Sequence, residues 1–176
     1  MQTIKKTRKM ETSSVITPTS ASMGDKTIKA INELDLGPIK YKLVHENDLP
    51  LDEVRIMERQ YRQFLMLVHL YPETSIVPTE NIDKIWHAHI LDTQKYRVDC
   101  DRIFGNFMDH FPYLGLRGPE DEKLLKESFD KSAELFLKEF SETIFGASAC
   151  EGTECGGTAC GSSNCDKRVS TRPSLV

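Results

Sequence analysis

One amphipathic stretch constrains this chain more than any other. From Thr79 to Cys100 it reads Thr-Glu-Asn-Ile-Asp-Lys-Ile-Trp-His-Ala-His-Ile-Leu-Asp-Thr-Gln-Lys-Tyr-Arg-Val-Asp-Cys. It holds the only Trp, two of the five His and the only Cys outside the C-terminal tail. Ile82, Ile85, Trp86, His89, Thr93, Tyr96, Cys100 and Ile103 recur almost entirely at steps of three or four, one stripe of a 3.6-residue period. The spacing predicts a single helix from Thr79, its N-cap, to about Phe104, with Gly105 as its stop. His89 and Cys100 fall inside the buried stripe. At ~100° per residue, His87 points nearly the opposite way.

The flanking segments predict further helices and no useful run of strand period. Pro50 to about Tyr71 carries Val54, Met57, Tyr61, Phe64, Leu65 and Val68 on one face, and Pro72 closes it. The turn to Pro78 is short enough to make this helix an antiparallel neighbour of the next. Gly118-Pro-Glu-Asp-Glu122 is a helix start, with Leu125, Phe129, Ala133, Phe136, Leu137, Phe140 and Ile144 following and Gly146 as the stop. Asp25 to Leu36 predicts a short first helix that Gly37-Pro38 ends; Lys40 to Asn47 reads as an extended connector or a short strand, with His45 at the surface. Asn106 to Gly118 is an apolar loop folded back over the core, which brings His110 towards the Trp86 helix. The expected fold is all-α, a small bundle of four to five helices over residues 25–146.

The two ends differ in composition from this body. Residues 1–24 are polar, with Lys5, Lys6, Arg8 and Lys9 before a Ser/Thr-rich run; they read as a disordered solvated arm, a transit peptide being the other reading. Residues 147–176 form a Cys/Gly-rich flexible tail in which Cys150, Cys155, Cys160 and Cys165 stand five apart. With no apolar leader segment, the chain reads as cytoplasmic, and these cysteines as reduced thiols, metal ligands or sites of modification. Net charge is −4, which argues against nucleic acid as a bulk electrostatic partner. The longest apolar run, Phe64 to Val68, is far short of the roughly 20 residues that span a bilayer.

The residue types that carry chemistry fall into two sets. On an intact helix His87 and His89 diverge by roughly 160°, so they cannot both bind one ion. Asp83 and His87, four apart, suit a carboxylate–His pair on one side. On the buried side His89, Tyr96 and Cys100 align, and a zinc or iron site forms there if His69 or His110 completes it. The other reading makes His89 a hydrogen-bonded core residue and Cys100 a small hydrophobe. Catalysis by Cys100 with His89 as base is opposed by three turns of helix between them. The tail offers thiolates for zinc, an iron–sulfur cluster or copper.

Taken together, Tyr71-Pro, Asp83-x-x-Trp86-His87-x-His89, Tyr96-x3-Cys100 and His110-x-Pro112 resemble the core of the glycine-rich domain protein family, over about residues 50–118. That resemblance marks Asp83, Trp86, His87, His89 and Tyr96 as family-motif positions and implies no activity. The expected function is a binding or carrier module: thiol-based metal binding by the tail, with a second site in the body from His69, His89, Cys100 and His110. Two other readings stand beside it. In one, the chain is a precursor whose tail is matured by a peptide-modifying enzyme; in the other, a metal-dependent enzyme is centred on the Trp86 helix.

Overall fold

The computed structural model describes residues 15–22 and 25–143. Among them stand six helices and no β-strand: α1 (Lys26–Asn32), α2 (Gly37–Glu46), α3 (Leu51–Leu70), α4 (Glu80–Leu91), α5 (Thr93–Phe104) and α6 (Pro119–Phe140). The all-α architecture is as expected, and the count is slightly higher. No helix among the described residues is long and apolar enough to cross a membrane.

The additional helices arise at two places where a local signal outweighs the pattern. Pro38 lies in the first turn of α2, where a missing N–H costs nothing because that donor has no intrahelical partner. The segment expected to be extended is therefore helical. The long helix predicted from Thr79 to Phe104 is broken at Asp92, whose backbone leaves the helical region (φ −83°, ψ 70°). Its carboxylate accepts the Lys95 N–H at 3.3 Å, so Asp92 ends α4 and caps α5. The apolar stripe continues through the break in sequence but not in direction.

α3 is the central helix, packing against α1, α2, α4 and α6. Val54, Met57, Tyr61, Phe64 and Leu65 on α3 are buried with Ile82, Ile85 and Trp86 of α4. Arg62 is buried among them, and its guanidinium donates to the carbonyls of Ile31 and of Leu34 (2.7 Å), and to Glu58 (2.8 Å). It thereby covers carbonyls at the end of α1 that have no partner within that helix. Glu58 in turn pairs with Lys40 of α2 at 2.6 Å, so one carboxylate and one guanidinium tie α1 and α2 to α3.

Residues 15–22, the end of the arm, lie against this body. Ile16 exchanges hydrogen bonds with the Asn32 side chain (3.0 and 2.8 Å). Ser20 donates to the buried Glu139 carboxylate of α6 through both its N–H (2.7 Å) and its hydroxyl (2.6 Å). Tyr71 also donates to Glu139, at 2.5 Å. Burial alone would raise the Glu139 carboxyl, but the bonds from Ser20 and Tyr71 outweigh it and hold the pKa at about 2. The unfolded chain binds that proton more tightly, near pH ~4.3, so the stabilisation is whole above that pH and is lost as the pH falls towards 2. Urea unfolding of Glu139→Gln should show a loss of ~1–3 kcal/mol at pH 7 and a flatter acid limb than the parent. An acid limb unchanged by the substitution would contradict this.

Candidate metal centre

The first turn of α4 is set by Thr79, whose hydroxyl accepts the Ile82 N–H at 3.4 Å. Asp83 follows one residue later and is buried; His87 stands one turn further along the same side. The third residue, His110, comes from the loop between α5 and α6. That loop has no regular structure of its own, so its position depends on anchors.

Three anchors hold it. Tyr96 of α5 accepts the Trp86 indole N–H (2.9 Å) and donates its hydroxyl to the Met108 carbonyl (2.7 Å); the Met108 N–H meets the Cys100 sulfur. Val77, Phe111 and Leu114 form a small apolar cluster of their own. At the far end Asp121 of α6 accepts the N–H groups of Gly115 (2.6 Å) and Arg117 (3.2 Å). Gly115 has φ +90°, a conformation that favours glycine, and a Cβ there would also push aside the Leu125 side chain, 2.6 Å away.

The anchored loop lays the His110 ring against Trp86, ring centres 4.6 Å apart, with its Nε2 facing α4. His110 Nε2 lies 2.9 Å from His87 Nε2 and 3.2 Å from Asp83 Oδ1, and His87 Nε2 lies 3.5 Å from Asp83 Oδ2. Two imidazole nitrogens and a carboxylate thus converge on one point, with all three ligand atoms within 4.8 Å of one another. Metal–nitrogen bonds of 2.0–2.1 Å imply ligand atoms roughly 3.3 Å apart on a tetrahedron, or roughly 3.0 Å apart on one face of an octahedron. The observed separations bracket both. The side chains of Asp83 and His110 are 6% and 11% exposed and that of His87 is 44% exposed, so the group is walled on one side and open on the other.

His89 is elsewhere. Its Nδ1 lies 3.0 Å from the Tyr61 hydroxyl and its Nε2 2.9 Å from Asp99 Oδ2, and Asp99 also pairs with Lys95 at 3.0 Å. Tyr61 donates to Nδ1 and Nε2–H donates to the carboxylate, so the neutral imidazole has both nitrogens occupied. Burial lowers its pKa, with Asp99 acting in the opposite direction. Cys100 is 3% exposed, and burial pushes its thiol up, which disfavours the thiolate that ligation or attack requires. His69 Nε2 is bonded to Asp25 at 3.0 Å. His69, His89, Cys100 and His110 are therefore not brought together: His110 joins Asp83 and His87 instead. Cys150, Cys155, Cys160 and Cys165 lie outside the described residues. Asp99 escaped the sequence reading, although the Leu-Asp-Thr capping signal at residue 92 could have pointed to the fold-back that delivers it.

Residues 29–134 match the UCP032817-like family. That match overturns the resemblance to the glycine-rich domain protein family, which rested on a few spaced residues. Two of those, Trp86 and Tyr96, serve packing and loop anchoring here. No curated protein and no solved structure matches the chain.

Replacing His89 with Phe fills the space but leaves the buried Tyr61 hydroxyl without its partner and Asp99 with Lys95 alone. His89→Phe should lose ~1–3 kcal/mol in urea unfolding, whereas unchanged stability would mean that the Tyr61–His89–Asp99 chain contributes nothing. In the parent, the depressed His89 pKa means that the unfolded chain takes up the proton first, so stability should decline as the pH drops below ~6.5.

Proposed function

We propose, for a chain that belongs to the UCP032817-like family, that it is a metal-binding protein whose body holds one divalent first-row transition ion on Asp83, His87 and His110. The observation that carries this reading is the convergence of two Nε2 atoms and a carboxylate at 2.9, 3.2 and 3.5 Å. Imidazole-dominated sets favour zinc, iron, nickel or copper over magnesium and calcium, which prefer all-oxygen shells. Three protein ligands with an open side leave at least one coordination position for water or an exogenous ligand. In this reading the ion neutralises the buried Asp83 carboxylate, and Trp86 fixes the His110 ring from behind.

The four evenly spaced tail cysteines are a second, softer donor set, so the proposal covers a protein with two kinds of metal site. Their separation is testable with a variant ending at residue 146. Calorimetric titration of that variant with zinc should give one site. His110→Ala and Asp83→Asn should each weaken it by more than ~100-fold, beyond the 10–100-fold that loss of an outer-shell partner costs. Absence of zinc, cobalt or iron binding by the truncated protein would contradict the reading. Tyr96→Phe keeps every ligand but removes the bridge to Met108. It should weaken zinc by ~10-fold with helical content unchanged; an unaltered affinity would show that the loop needs no such anchor.

A further inference from the structure

A concavity of about 400 Å³ opens where the last turns of α3 and α5 meet residues 106–109 of the loop, and Asp83, His87 and His110 take no part in its lining. Its wall contains no Lys or Arg. Asp109 is exposed on it, and its one histidine, His69, is already bonded to the Asp25 carboxylate at 3.0 Å. Both helices end here, at Leu70 and Phe104, and each C-terminus carries roughly half a negative charge. Three sources of negative potential therefore act on one cavity with no opposing Lys or Arg in its wall. The remaining surface is apolar and aromatic: Phe104, Phe107 and Met108 line it. Phe107 is 48% exposed yet is fixed edge-on against Tyr96, ring centres 5.2 Å apart. A rigid, uncovered aromatic beside a carboxylate suits a cation with a hydrophobic body.

We propose that this cavity binds a small protonated organic amine, with the ammonium directed to Asp109 and the ends of α3 and α5, and the apolar part against Phe104 and Phe107. Anions of the same shape are excluded by the same field. The cavity shares the loop that carries His110 but none of the side chains Asp83, His87 and His110.

The test uses the full chain, freed of metal with a chelator so that an amine has no ion to ligate. It is titrated with benzylamine, benzyl alcohol and benzoate while backbone amide shifts are followed by NMR. Benzylamine should give saturable shifts at Val68, His69, Thr74 and Phe107; benzyl alcohol should bind ~2–5-fold more weakly, and benzoate should give none. Asp109→Asn, an exposed change that leaves the fold intact, should weaken benzylamine by ~2–5-fold, the size of one such charge interaction at a partly exposed site. Phe107→Ala should weaken the amine and the alcohol alike. Equal or tighter binding of benzoate, an Asp109→Asn variant that binds benzylamine unchanged, or no saturable shift around the cavity would each overturn the proposal.

Discussion

The Tyr96 hydroxyl is the hinge pin of the molecule. It accepts from Trp86 on α4 and donates to the Met108 carbonyl in the loop, so one buried oxygen joins three segments distant in sequence. A tyrosine is needed because the bridge requires a group that accepts and donates at once, carried on an apolar ring that fills the core. Burial raises its pKa far above the ordinary range, which keeps the proton in place to donate. Without that bridge the loop would keep its apolar cluster and its Asp121 anchor, but near His110 on the α5 side only the weak contact of the Met108 N–H with the Cys100 sulfur would tie its backbone. The convergence of His110 on Asp83 and His87 rests on this contact.

α4 uses the divergence of successive residues to serve two environments. His87 faces the open side with Asp83 and His110, and His89 faces inward between Tyr61 and Asp99. The two imidazoles are chemically alike and differ only in what surrounds them. Around His89 every polar atom has a protein partner, which makes the ring a structural strut. Around His87, Nε2 meets the His110 Nε2 and the Asp83 carboxylate with one side exposed, the donor set that the proposed ion would take. Asp92 makes both outcomes compatible: by ending α4 it turns α5 back so that Asp99 reaches His89 and Tyr96 reaches Trp86.

Much of this architecture is written in local sequence signals. The period of Val54 to Val68, the Gly118-Pro119 start and the divergence of His87 from His89 all predict what the structure contains. The Asp83–His87 pairing was legible from a four-residue spacing. Two features were not. The break at Asp92 is invisible to periodicity because the apolar stripe resumes in phase, and only the capping chemistry of Asp-Thr gives it away. That His110 comes to the Trp86 helix was legible, but its partners there were hidden because an irregular loop has no period; its place is decided by Tyr96, Cys100 and Asp121, each ten or more residues away in sequence. Aromatic residues around His110 indicated that the loop covers the core, not which histidine it would meet.

Whether the ion sits among imidazoles is the point on which the account turns. Zinc K-edge absorption spectroscopy of the full-length protein loaded with one equivalent of zinc reads the ligand atoms directly. The account predicts nitrogen and oxygen neighbours at about 2.0–2.2 Å with the multiple-scattering signature of two histidines. A shell of sulfur at about 2.3 Å, with no imidazole contribution, would place the metal on the tail thiols and contradict it.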